Sequence, residues 1–147
     1  MGIFEWCDDY SIGIMAIDIQ HKKIIELVDE LVQAIRDSRE DCIIDEVLDD
    51  LADYANYHFS LEERLLHRYG FADEHDHETQ HREFIEMIRS LKVKENVRAN
   101  NVPRETLDYL ENWFCAHELK SDAKYGSYLR AKGLAGEVEE RIRKGEL

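Results

Sequence analysis

The chain has 147 residues, with 19 Lys and Arg against 33 Asp and Glu, for a formal charge of −14. That length suits one domain around one core, and roughly two-thirds of the unfolded surface can be buried without a disulfide or structural metal. The acidic field repels nucleic-acid phosphates and anionic membranes, which excludes binding to either as the main role. Three cysteines, Cys7, Cys42 and Cys115, are odd in number and lack CxxC spacing. They argue against a disulfide framework or a thiolate metal site and for a reducing, cytoplasmic setting. The amino terminus has no basic stretch running into an apolar one, and no segment reaches the ~20 apolar residues of a membrane span. No repeat, low-complexity tract or linker divides residues 1–147, which read as a single domain.

Residues 1–17 read as a non-helical arm whose Trp6, Tyr10, Ile12 and Ile14 can pack across a bundle. The series Ile17, His21, Ile24, Val28, Leu31, Ile35 advances in steps of four and three. Such steps mark one face of a helix, here over about 18–37 with Asp18 at its start. Ile44, Leu48, Leu51, Ala55, His58 and Glu62 repeat the pattern and predict a second helix over about 42–66, ended by Gly70. His77, His81, Phe84, Ile88 and Leu91 mark a third, over about 73–91. The polar stretch 92–101 reads as a loop, and Pro103 suits the first turn of a fourth helix, where its missing N–H is not needed. Leu107, Leu110, Phe114 and His117 line that helix, which runs to about Leu129. Residues 134–144 predict a short charged helical tail whose acidic run, Glu137 to Glu140, reads as solvated. The fold expected is all-α, an up-down-up-down four-helix bundle with a non-helical N-terminal arm and a short C-terminal helical tail.

Polar residues stand at core positions in all four stripes: His21 in the first, His58 and Glu62 in the second, His77 and His81 in the third, His117 in the fourth. Desolvating an unpaired polar or charged group costs several kcal/mol, so converging residues of this kind need a shared solution. His58 with Glu62, and His77 with His81, lie one helical turn apart and can address one centre. Asp122 follows His117 by five residues, which on an α-helix is about 140° off the stripe. Its carboxylate must reach diagonally, or the helix must distort locally.

Five imidazoles and two carboxylates are too many for a tetrahedral zinc site. They suit two metal ions in N/O environments, and imidazole with carboxylate and no thiolate suits iron. With both carboxylates and an oxo or hydroxo group bridging, three histidines complete six-coordination on one iron. The iron with two histidines keeps an open position for dioxygen. The bland alternative, a metal-free polar network, must satisfy every member at once. His67 and His75 lie outside the stripes and read as surface histidines, and Glu63, rotated by about 100° from Glu62, as solvent-facing or salt-bridged. Phe59, Tyr109 and Trp113 read as core packing that can also exclude water from the centre. Tyr54 and Tyr125 are candidate hydrogen-bond donors to its carboxylates, and Cys115 reads as a small core residue.

Four segments carry a family resemblance: Ile17-Asp18-Ile19-Gln20-His21-Lys22, His58-Phe59-Ser60-Leu61-Glu62-Glu63, His77-Glu78-Thr79-Gln80-His81 with Phe84, and His117-Glu118-Leu119-Lys120-Ser121-Asp122. In order and spacing they resemble the signatures of hemerythrins, most closely the bacterial members, from about Trp6 to Leu129. The resemblance implies that His77, His81 and His117 bind the closed iron, that His21 and His58 bind the open one, and that Glu62 and Asp122 bridge them. It implies reversible dioxygen binding for storage, delivery to an oxygen-using enzyme, or sensing through an attached signalling domain, and it implies no enzymatic turnover. Glu118 departs from the pattern, standing where the family has an apolar residue beside the dioxygen pocket that Phe59 and Trp113 also line. Facing inward, it favours a di-iron redox enzyme with peroxidase-like or nitric oxide-handling activity; facing outward, it only adds solubility.

Overall fold

In a computed structural model, which describes residues 5–93 and 104–147, the chain is all-helical. Four main helices form the bundle: α1 (Met15–Arg36), α2 (Asp41–Arg68), α3 (Glu74–Val93) and α4 (Arg104–Ala116). The last continues through a π-helical segment, His117–Asp122, into α5 (Ala123–Ala131), and a short α6 (Ala135–Lys144) follows. Within the bundle α1 packs on α2 and α4, and α2 on α3, while α6 lies against α1 and α5. Pro103 and most of the stretch expected as a loop lie outside the described residues; Lys92 and Val93 belong to α3.

Every residue of the four predicted stripes is buried. The apolar ones fall into two clusters. One runs from Ile24 to Ile35 on α1 and includes Leu48, Leu51, Phe84, Ile88, Leu110 and Phe114. The other is smaller and joins Ile12, Ile14, Ile17, Leu65, Leu66, Phe71, Tyr125, Leu129 and Val138. Along α1, α2 and the α4–α5 helix, the histidines and carboxylates fall between the two clusters, and on α3 they precede Phe84. They therefore form one polar layer with apolar packing on both sides.

The ends differ from the sequence reading in three places. Helix α1 begins at Met15, not Asp18, and the Asp18 carboxylate instead accepts from Ser11 Oγ at 2.5 Å and Ile12 N–H at 3.0 Å. Asp18 thus ties the arm to the helix it precedes. The arm also contains a 3-10 turn at Asp8–Tyr10, and Trp6 and Tyr10 pack on the larger cluster. Most clearly, the acidic tail is only partly solvated: Glu137 and Glu140 are exposed, but the residues between them are engaged. Val138 is fully buried, Glu139 accepts the Ala16 N–H with oxygens at 3.1 and 3.0 Å, and Tyr69 Oη donates to Glu137 at 2.6 Å. Helix α1 has no side-chain cap of its own, so Glu139 supplies the acceptor and negative charge that a helix N-terminus favours. Gly70 ends α2 as expected, in the left-handed region at φ 66°.

Gly126 sits where α5 meets the arm. A Cβ there would lie 2.8 Å from the Ile12 carbonyl oxygen and 3.1 Å from Ile12 Cβ. Gly126→Ala is therefore expected to lower unfolding stability by about 1–3 kcal/mol in urea denaturation. Gly136→Ala, with open space around it, is expected to be neutral or slightly stabilising.

Candidate metal centre

The structure brings all seven sequence-identified residues together, and each is buried: His21, His58, Glu62 and Asp122 fully, with His77, His81 and His117 at 2–3% exposure. Their donor atoms form two groups. Glu62, His77, His81, His117 and Asp122 make one; His21, His58, Glu62 and Asp122 make the other, and within each the atoms lie within 4.8 Å of one another. The two carboxylates are common to both groups. Asp122 divides cleanly between them, with Oδ1 at 2.9 Å from His77 Nε2 and 3.0 Å from His117 Nε2, and Oδ2 at 3.0 Å from His21 Nε2. Glu62 Oε1 lies 3.2 Å from both His58 Nε2 and His81 Nε2, and Oε2 lies 3.5 Å from His21 Nε2.

The five-residue offset of Asp122 is resolved by the backbone. His117–Asp122 is a π-helical segment, whose i→i+5 repeat places residues five apart on one face where an α-helix would separate them. Local distortion, not a diagonal reach, delivers the carboxylate.

Three of the histidines are aimed by contacts from outside the donor set; sequence reasoning missed the two glutamines and left Glu63 as solvent-facing or salt-bridged. The Gln20 amide oxygen accepts from His58 Nδ1 at 2.7 Å, the Gln80 amide oxygen from His117 Nδ1 at 2.7 Å, and Glu63 from His81 Nδ1 at 3.0 Å. Ser121 Oγ also donates to the Gln80 oxygen at 2.8 Å, while Gln80 Nε2 donates to Asp76 at 2.9 Å. Gln20 and Gln80 each immediately precede a histidine of the set, in the repeated pair Gln20-His21 and Gln80-His81. Each then supports a histidine on the next helix. That repetition was the available signal. Tyr125, fully buried, donates a short hydrogen bond to Glu62 Oε2, whereas Tyr54 packs against the Tyr57 ring at 5.8 Å.

Aromatic rings close the layer. Phe59 stacks on His81 at 3.9 Å and 7°, Trp113 on His117 at 4.6 Å and 10°, and Phe114 meets His21 edge-on at 5.5 Å. Tyr109 packs on the larger apolar cluster, and Cys115 is half-buried with its Sγ 3.3 Å from Tyr10 Oη. His67 pairs with Glu74 at the surface, and His75 is exposed. The Glu118 side chain lies outside the described residues.

Whether this layer fits metal ions is decided by its lone pairs. His58, His81 and His117 each use Nδ1–H as a donor, so their neutral forms present bare Nε2 atoms to the centre. His81 Nε2 and His117 Nε2 face each other at 3.2 Å. His58 Nε2, Glu62 Oε1, His77 Nε2 and both Asp122 oxygens are buried without a well-formed hydrogen bond. An ion bonded to N and O at about 2.0–2.2 Å spaces adjacent donors by about 3 Å, close to the separations found. Without metal, protons take the cations' place. Burial opposes charge on His77, but Asp122 and Glu62 overcome it and raise its pKa to about 10. Burial likewise opposes charge on His81, and Glu62 and Glu63 raise it. His58 and His117 are instead pushed down by burial. Burial would raise Glu62 and Asp122, and for Asp122 the Glu62 charge adds to it. The surrounding histidines outweigh this and hold both carboxyls well below the usual range. The layer therefore holds two desolvated anions that demand positive charge, and the donor set fits a carboxylate-bridged di-iron cofactor.

Comparison with known proteins agrees. The family model for the hemerythrin HHE cation binding domain matches residues 13–129. A bacteriohemerythrin of Clostridium acetobutylicum is 30% identical over 128 residues, 84% of this chain and 98% of that protein. One from Pseudomonas aeruginosa is 33% identical over 125 residues, covering 85% and 80% of the two chains. The crystal structure of a hemerythrin point mutant superposes with a TM-score of 0.76 at 26% identity, covering 86% of this chain and 97% of its own. The chain belongs to the hemerythrin family.

Proposed function

We propose that this chain binds dioxygen reversibly at two iron ions, one held by His77, His81 and His117, the other by His21 and His58, with Glu62 and Asp122 bridging. The observation that carries this reading is the pair of donor groups that share both carboxylates but differ by one histidine. When bound, the iron pair supplies the electrons that hold dioxygen, and the histidine-poorer ion supplies the coordination position. The chain's own side chains do the rest. Gln20, Gln80 and Glu63 keep Nε2 atoms turned inward, and Tyr125 holds one oxygen of Glu62. Phe59, Trp113 and Phe114 pack over the histidines and keep water from an oxidisable centre.

The reading requires no turnover, and five imidazoles in the set favour a carrier over the carboxylate-rich centres of oxygenases. We read residues 1–147 as one unit. Among the described residues no helix is long and apolar enough to cross a membrane. Three free cysteines, two of them exposed, support a cytoplasmic setting. Storage, delivery to an oxygen-using enzyme and sensing through an attached signalling domain all use this chemistry.

The test is anaerobic loading with ferrous iron followed by dioxygen titration. The expected result is one dioxygen per two irons, an oxygen-isotope-sensitive vibrational band, and full reversal on degassing over repeated cycles. Prompt irreversible oxidation, or catalytic consumption of a reductant, would instead support redox enzymology, and Glu118→Leu would then be the variant to suppress it. Gln80→Leu, which removes the acceptor behind His117, is expected to weaken iron affinity by about 10–100-fold in a chelator competition. Asn at the same position, which keeps an amide on a shorter side chain, should cost less.

A further inference from the structure

His58, His81 and His117 are not supported alike. His58 and His117 donate Nδ1–H to neutral amides, Gln20 and Gln80, whereas His81 donates to the Glu63 carboxylate. Glu63 lies one residue beyond Glu62 and so leaves the core face of α2. It approaches His81 from a cleft of about 290 Å³ between α2 and α3, lined also by Phe59, Ser60, Arg82 and Arg89. Neither arginine pairs with it: among the described residues, the only ion pair of Glu63 is with His81, and Arg82 donates to Thr79 at 3.4 Å. Phe59, stacked flat on His81 at 3.9 Å, fixes the ring so that Nδ1 meets Glu63 while Nε2 faces the centre.

A carboxylate behind an imidazole draws on the N–H proton and raises the basicity of the opposite nitrogen. A more basic nitrogen favours the higher charge on the metal it binds. We propose that Glu63 makes His81 a stronger electron donor than His58 or His117, lowers the reduction potential of the iron bound by His77, His81 and His117, and so sets which iron is oxidised first. This rests on the iron assignment above. The couple is a single electron, Fe(III) to Fe(II), with no protein bond made or broken; the N–H proton stays shared between His81 and Glu63. Glu63 is a positioning residue that acts through His81, since it reaches neither the iron nor dioxygen.

Glu63→Gln keeps a hydrogen-bond acceptor and removes the charge, while Gln20→Glu places a carboxylate behind His58 on the other side. Wild type and both variants are loaded with iron, the two-per-chain content is checked, and each is titrated with redox mediators while Mössbauer spectra follow the two sites. Glu63→Gln is expected to shift the first-oxidised iron toward the ferrous form by about tenfold or more, equivalent to about 59 mV for one electron. Gln20→Glu is expected to shift the second iron in the opposite sense, narrowing the gap between sites. A merely structural role would lower iron content or stability and leave both potentials in place. If both variants load two irons and neither potential moves, the proposal is overturned while the iron assignment stands. If wild type itself takes fewer than two irons, both fall. A second readout does not depend on iron: in zinc-loaded protein, the His81 Nδ1–H proton should resonate downfield of those of His58 and His117. Its loss of that shift in Glu63→Gln supports the proposal, and equal shifts for all three histidines in wild type overturn it.

Discussion

The desolvation of Glu62 and Asp122 is the constraint on which the rest of the fold depends. Two ionised carboxylates at 0% exposure, close enough to oppose each other's charge, cost more than a chain of this size can lose unless positive charge is returned to them. Five histidines converge on them from four helices, and no arginine or lysine does among the described residues. Imidazole can accept either a proton or a metal at the same nitrogen, so the same inward nitrogens can return positive charge to the carboxylates in either way. Apolar clusters on both sides then keep water from supplying the missing partners.

Geometry at the centre is set by two devices outside the donor list. The π segment at His117–Asp122 widens the fourth helix by one residue, so that one helix delivers both a histidine and a carboxylate common to the two donor groups. The outward nitrogens of His58, His81 and His117 are held by partners one residue before or after a donor in sequence, on a neighbouring helix. Helices α1, α2 and α3 therefore each contribute both a donor and the support for a donor on the next helix. That relay ties the order of the centre to the packing of the bundle. It also explains why removing one amide acceptor is expected to loosen the whole arrangement.

Most of this was legible in the sequence where it depends on periodicity. All four stripes, from Ile17 to His117, are buried as read, and the seven donors meet because a stripe position on a bundle helix is a core position. What periodicity could not show is what happens off the stripe. Gln20, Gln80 and Glu63 each stand about 100° from a core-facing donor, so their partners emerge only when the neighbouring helix is in place; for Glu63 the salt-bridged alternative is the one found. The π turn left only a trace, the awkward five-residue offset. The acidic tail was legible only in part, because charge predicts solvation locally: Glu137 and Glu140 are exposed, whereas Glu139 is held by the Ala16 N–H at the start of a helix 123 residues earlier.

The central claim is that the buried polar layer is a site for two cations of unequal surroundings. The most direct measurement is an anaerobic titration of the metal-free protein with ferrous iron, followed by Mössbauer spectroscopy. The account predicts saturation at two irons per chain with two distinct ferrous signals, and loss of that pairing in Asp122→Asn. Saturation at one iron, or two irons whose signals are unchanged in Asp122→Asn, would contradict it.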